Sequence, residues 1–314
     1  MFETSIAGIP LKNGIYNASG CMCRSYEELH DVYISNFSGA VLSKSCTTKM
    51  RSGNPSPRYT ENNLGSLNSM GLPNFGYQYY LQISNEITEK PYFMSVSGMS
   101  QQETLTIINE INNYKKKKPD LIEINLSCPN LPGKPQIGYD WDQMEDYIRK
   151  ISEINLTMPW GIKLPPYFDP VHFGYASDII KKGNLSFITS INSIGNALWI
   201  DPYKEETIIH PKNGLGGLGG SYVKPTSLAN VNSFYKELPN SIDIIGCGGI
   251  SSGNDVWEYI LCGASAVQIG TQLVKEGNKC FERISKELIP FFSQSNYKSW
   301  KDARGKLKTC NPHE

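Results

Sequence analysis

Residues 242–271 read IDIIGCGGISSGNDVWEYILCGASAVQIGT. The run at 242–247 is short, apolar and β-branched, which is the pattern of a buried strand. GCGGISSG at 246–253 breaks it with glycine. Residues 255–262 follow with helical spacing, and AVQIG at 266–270 is a second buried run. Strand, glycine turn, helix and strand in so few residues form a right-handed parallel crossover. Upstream, six further runs resemble these two: IYNAS at 15–19, GAVLSK at 39–44, PYFMSV at 91–96, LIEINL at 121–126, WGIKL at 160–164 and FITSI at 187–191. Between them lie helical patterns. Residues 25–35 begin with Ser25 and carry Glu28 three positions on, the capping-box spacing. Residues 103–116 set Leu105, Ile108 and Ile111 on one face, and residues 141–154, 171–182 and 228–238 read similarly. Eight strands alternating with helices predict an α/β fold, a (β/α)8 TIM barrel, with residues 1–314 as one domain.

Three connections after strands are long: 46–75 after strand 2, 127–140 after strand 4 and 192–226 after strand 6. In a barrel these loops build the catalytic face. Strands seven and eight end in GCGGISSG and GTQLV, each leading into a helix. Loops at these two positions often bind phosphate, through backbone N–H groups that glycine lets approach closely. The sequence therefore predicts a phosphorylated ligand at Gly248, Gly249, Gly270 and Thr271. Gly214-x-Gly216-x-x-Gly219 matches a dinucleotide fingerprint, but HPKNG precedes it and SYVKP follows. Pro225 argues against a helix directly after it, so a Rossmann reading is rejected.

The chain has 314 residues, 39% of them apolar, with 30 basic and 30 acidic side chains. Zero net charge offers no field to hold nucleic acid or an anionic membrane. The single basic block, 115–118, reads as the end of a helix before Pro119. Residues 1–14 show no leader and no run reaches membrane-spanning length. The eight cysteines include no CxxC and no zinc-finger spacing, and Cys247 and Cys262 read as small core residues. His30, His172, His210 and His313 show no ligand pattern, so no metal is expected. These features predict a reduced, cytoplasmic protein.

One cysteine is out of place. Cys128 sits in NLSCPNLPGKPQ, 125–136, a polar segment broken by three prolines and following a strand. Such a thiol is placed for chemistry rather than packing. With SGAVLSKSCTTKMRSGNPSPR (38–58), NSMGLPN (68–74), GIKLPPYFD (161–169), SINSIG (190–195) and GGLGGSYVKP (216–225), this segment resembles the dihydroorotate dehydrogenases. The cysteine resembles that of the class 1 enzymes, since class 2 places serine there. GNPSPRY, NSMGLPN and GGLGG are most similar to class 1A, the homodimeric, fumarate-using group.

The resemblance implies an FMN cofactor contacting Ala18, Ser19, Gly20, Lys44, Ser45, Asn125, Lys163, Ile191, Gly220 and Ser221, with its phosphate at Gly248, Gly249, Gly270 and Thr271. It implies substrate contacts at Lys44, Asn68, Met70, Gly71, Leu72, Asn125, Asn130, Asn192 and Ser193. Dihydroorotate oxidation to orotate needs a base for the C5 proton, and Cys128 is the implied catalytic residue. Lys163 is the implied cation beside the flavin. Amides suit the alternating donors and acceptors of a pyrimidine. Fumarate, leaving as succinate, fits the same pocket and would give ping-pong kinetics. The rival readings are a class 1B-type subunit passing electrons through an iron–sulfur partner to NAD, a dihydropyrimidine dehydrogenase or dihydrouridine synthase relative, and a non-catalytic FMN-binding barrel. Cys21 and Cys23, near the first loop, read as packing residues, and the tail from Asn296 carries no functional signal.

Overall fold

The computed structural model describes residues 1–128 and 136–310. Eight parallel strands form the barrel: β1 (Ile15–Asn17), β2 (Val41–Leu42), β3 (Tyr92–Val96), β4 (Leu121–Asn125), β5 (Trp160–Leu164), β6 (Phe187–Ser190), β7 (Asp243–Cys247) and β8 (Ala266–Ile269). Their spatial order is β1-β8-β7-β6-β5-β4-β3-β2. All eight runs anticipated from the sequence are barrel strands. The joint between β1 and β2 lacks a strand ladder and is fastened otherwise. Gly39 N donates to Ile15 O at 2.8 Å. The Asn17 side-chain amide donates to Leu42 O at 2.7 Å and accepts from Leu42 N at 2.9 Å. Asn17 thus does with a side chain what a backbone pair does elsewhere.

Ten helices are described: α1 (Tyr26–Ile34), α2 (Tyr77–Ile83), α3 (Gln101–Asn113), α4 (Trp141–Ser152), α5 (Pro170–Lys181), α6 (Lys224–Glu237), α7 (Gly253–Cys262), α8 (Thr271–Glu276), α9 (Lys279–Gln294) and α10 (Trp300–Ala303). Ser25 and Glu28 close a capping box at α1, as their spacing required. Helix α3 stops at Asn113, short of the lysine block. Lys118 reaches back to accept duty at the helix end, donating to Asn112 O at 2.5 Å. Helix α6 starts at Lys224, so Pro225 does not delay it. A first-turn proline loses only an amide that has no intrahelical partner anyway. The glycine motif before it fails as a nucleotide fingerprint for a different reason: residues 215–220 are themselves a strand.

That strand belongs to a second sheet, built from the insertions. Tyr59–Glu61 and Gly65–Asn68 from the β2 insertion pair antiparallel with Leu215–Gly220 and Ile194–Leu198 from the β6 insertion. Ser66 Oγ lies 2.9 Å from Thr271 Oγ1, which ties this sheet to the turn after β8. At the other end, the hairpin Thr4–Ile6/Ile9–Leu11 lies under the barrel, with Ile6 and Leu11 buried in the cluster that also holds Tyr16, Leu42, Phe93, Phe187 and Ile245. The larger core lies between barrel and helices. The tail contributes to it: Trp300 is fully buried and its Nε1 donates to Ala264 O at 2.8 Å. Gly14 leaves it room, since a Cβ there would sit 2.6 Å from the indole.

Candidate active site

The carboxyl ends of the strands open into a cavity of about 580 Å³. Its volume is that of a cofactor site. Every described residue that the sequence put forward lines it: Ala18, Ser19, Gly20, Lys44, Ser45, Asn68, Met70, Gly71, Leu72, Asn125, Cys128, Lys163, Ile191, Asn192, Ser193, Gly220, Ser221, Gly248, Gly249, Gly270 and Thr271. Asn130 lies outside the described residues.

Strand ends place the polar groups. Ladder register sets Asn125 of β4 beside Lys163 of β5. Asn125 Oδ1 accepts from Ser127 N at 3.1 Å and from Asn192 Nδ2 at 3.3 Å, while its Nδ2 donates to Ser45 Oγ at 3.3 Å. Asn192 Nδ2 also donates to Ser127 Oγ at 3.0 Å, and Ser127 Oγ donates to Lys163 O at 3.1 Å. Ser45 continues the chain to Ser19 at 3.1 Å and Ser95 at 2.9 Å. These bonds fix the amide orientations around Cys128, which is half-buried where β4 gives way to its loop. Lys44 Nζ donates to Gly20 O at 3.3 Å.

Lys44 and Lys163 are both buried cations of the wall, 7% and 4% exposed; Lys163 is the more enclosed. Its Nζ donates to Gln268 Oε1 at 3.0 Å and lies 3.7 Å from Cys247 Sγ. Burial pushes the Lys163 pKa down, but Cys247 and Glu123 push it up, and the balance lies above the ordinary lysine value. Cys247 is therefore more than a packing residue, since it borders the cavity. Burial raises its thiol pKa against the pull of Lys163. Cys21 also borders the cavity, whereas Cys23 is enclosed and burial pushes it up to about 12.

Glycines shape the far rim. Gly220 has φ +76°, and a Cβ there would lie 2.4 Å from Gly65 Cα. Gly249 has φ +72°, and its Cβ would lie 2.8 Å from Gly220 O. Side chains are excluded and main chain faces the space, a cradle suited to an anion. The α7 N-terminus does not complete it. Asp255 Oδ2 takes Ser251 N at 2.7 Å and Ser252 N at 2.9 Å, and Glu287 takes Gly253 N at 2.9 Å. The expected helix-end contribution at this turn is thus already used by protein carboxylates, leaving Gly248 and Gly249 as the cradle.

Glu123 and Gln268, joined to the cavity wall through Lys163, escaped sequence reasoning. Gln268 is the lone polar residue of AVQI and Glu123 shares LIEIN with Asn125, and their partners lie on other strands. The only available signal was their interruption of otherwise buried runs.

A closed parallel barrel with buried lysines and fixed amides around a thiol at its mouth defines an enzyme of the barrel class. The family model described as dihydroorotate dehydrogenase matches residues 1–292, and the chain belongs to that family. It is 46% identical over 314 residues to dihydroorotate dehydrogenase A (fumarate) of Lactococcus lactis subsp. cremoris, covering 98% of this chain and 100% of that one. It is 45% identical over 313 residues to dihydroorotate dehydrogenase (fumarate) of Trypanosoma brucei brucei, covering 98% and 99%. The family is flavin-dependent.

Proposed function

We propose that this protein oxidises (S)-dihydroorotate to orotate with FMN as hydride carrier and fumarate as electron acceptor, in pyrimidine nucleotide synthesis. The carrying observation is that Cys128, Lys44, Lys163, Asn125 and Asn192 share the wall of one glycine-rimmed cavity. FMN, when bound, supplies the acceptor for the hydride leaving C6. The residues fit that group: a main-chain cradle at Gly220, Gly248, Gly249, Gly270 and Thr271 for the phosphate, with Ser221 beside it, and a buried ammonium at Lys163 for the ring. Ala18, Ser19, Gly20, Ser45 and Ile191 complete the flavin wall.

Cys128 takes the C5 proton, and the electron pair of that C–H bond enters the new C5–C6 double bond. A thiol has a reference pKa of about 8.5, far nearer neutrality than a serine hydroxyl. Lys44, Asn68, Asn125, Asn192 and Ser193 hold the pyrimidine and its carboxylate. The Met70–Gly71–Leu72 turn adds main chain, with Gly71 at φ +70° and Leu72 at φ +57°. Fumarate occupies the same space after orotate leaves. The chain acts as a homodimer in the cytoplasm. The exposed apolar side chains of the β6 insertion, among them Tyr203 at 96%, Ile200 at 57% and Leu198 at 45%, support a self-association surface.

The test is anaerobic reduction of the purified yellow protein by dihydroorotate, then separate mixing with fumarate, NAD and a quinone. Bleaching followed by recolouring with fumarate is expected. Absence of bleaching would reject the reaction. Recolouring by NAD only when an iron–sulfur partner is added would move the protein to the class 1B reading.

A further inference from the structure

The barrel interior beneath the cavity holds a carboxylate for which the proposed reaction has no task. Glu123, in the middle of β4, is 1% exposed. Its Oε2 accepts from Thr189 Oγ1 and from Gln268 Nε2, each at 2.7 Å. Its Oε1 has no hydrogen-bond partner among the described residues. Gln268 turns the other end of its amide to Lys163 Nζ at 3.0 Å. Carboxylate, amide and ammonium thus stand in one chain of contacts, from the sealed interior to the cavity wall. An aliphatic side chain would pack position 123 at lower cost, because a buried anion is tolerated only when a cation compensates it.

The groups around Lys163 narrow the choice of counter-charge. Cys247 from β7, Gln268 from β8, Glu123 from β4 and Cys21 from the loop after β1 face it. Burial raises the pKa of both thiols, so each holds its proton more tightly than a free thiol does. Tyr16 of β1, reached through Gln268, is held un-ionised by burial and by Glu123. Among these described groups Glu123 is the one carboxylate.

We propose that Glu123 is a positioning residue for the reaction: through Gln268 it keeps the buried Lys163 ammonium charged and directed at the flavin site. This rests on the flavin reading of the cavity. A charged Lys163 favours negative charge on the ring and raises the midpoint potential of bound FMN. Without Glu123, burial works on the lysine against the thiol contacts only, and the balance moves towards the neutral amine.

The experiment compares FMN-loaded wild type with Glu123→Gln, which preserves shape and removes charge. Midpoint potential is measured against pH over roughly pH 6 to 9, the span in which a buried lysine stripped of its partner titrates. The variant should show a lower potential that falls more steeply with pH, with kcat reduced at least about tenfold and KM changed far less. Glu123→Asp should restore the wild-type slope. A potential unchanged across the range, or raised by an uncompensated ammonium, overturns the proposal. Should Glu123→Gln not fold, Lys163→Met and Lys163→Met/Glu123→Gln are compared instead, the latter leaving no unpaired charge. Their potentials coincide if Glu123 acts through Lys163, and a difference overturns it. A wild type unable to hold FMN would overturn the flavin reading and this inference together. Retained FMN with an unmoved potential overturns this inference alone.

Discussion

The role proposed for Cys128 depends on its neighbours. Asn125 and Asn192 are locked to Ser127 and Ser45, so the chain on either side of β4's end is held by side-chain bonds. Replacing Cys128 with alanine should lower turnover about 100- to 10,000-fold, the usual worth of a positioned base. FMN should stay bound, visible as undiminished yellow colour after gel filtration. Cys128→Ser should retain part of the activity and shift its optimum to higher pH, because a hydroxyl yields its proton less readily. This cysteine was legible because thiols seldom occupy loops of asparagine and proline. Glu123 was not: inside LIEIN it looks like an outward-facing residue of an alternating strand. Only closure of the barrel turns it towards Thr189 and Gln268, 66 and 145 positions away in the chain.

Parallel barrel strands are buried on both faces, and so appear as continuous apolar runs. That is why eight could be recognised without reference to a structure. The antiparallel sheet over the mouth left no such trace. Its strand at 215–220, LGGLGG, is defined by what it lacks: main chains there approach too closely for side chains. Gly220→Ala should strain a positive φ and drive a methyl into Gly65, costing at least about 1 kcal/mol. Weaker FMN retention and a lower Tm would be measured together. Helix α7 makes a second prediction. Burial raises the Asp255 pKa, but Lys224 and the Ser251 amide and hydroxyl outweigh it, and the carboxyl ends below its ordinary value. A depressed folded pKa contributes stability above the unfolded value, near 3.9, that is lost as pH falls through the folded one. Asp255→Asn should therefore lower Tm at neutral pH, and the gap should start to close below about pH 4.

The whole molecule divides its labour between two ends. The mouth carries the amides, lysines and glycines, and the base is closed by the N-terminal hairpin and by Trp300. The tail looked inert because a single indole among polar residues has no periodicity to betray burial. Trp300→Ala should cost about 3–5 kcal/mol, read from denaturant midpoints, while leaving dihydroorotate binding intact at temperatures where the fold survives. One cavity serving both half-reactions predicts parallel double-reciprocal plots when fumarate and dihydroorotate are varied. Intersecting plots would require a second site.

The clasp between β1 and β2 bears on how the cylinder breathes. Seven junctions zip through successive amides, yet this one relies on the carboxamide of Asn17 beside the bond from Gly39 to Ile15. Opening should therefore begin there, with deuterium entering the Leu42 amide ahead of the buried amides of β4 and β5. In Asn17→Ala the difference should widen, converting a hoop into a strip that splits along a known line.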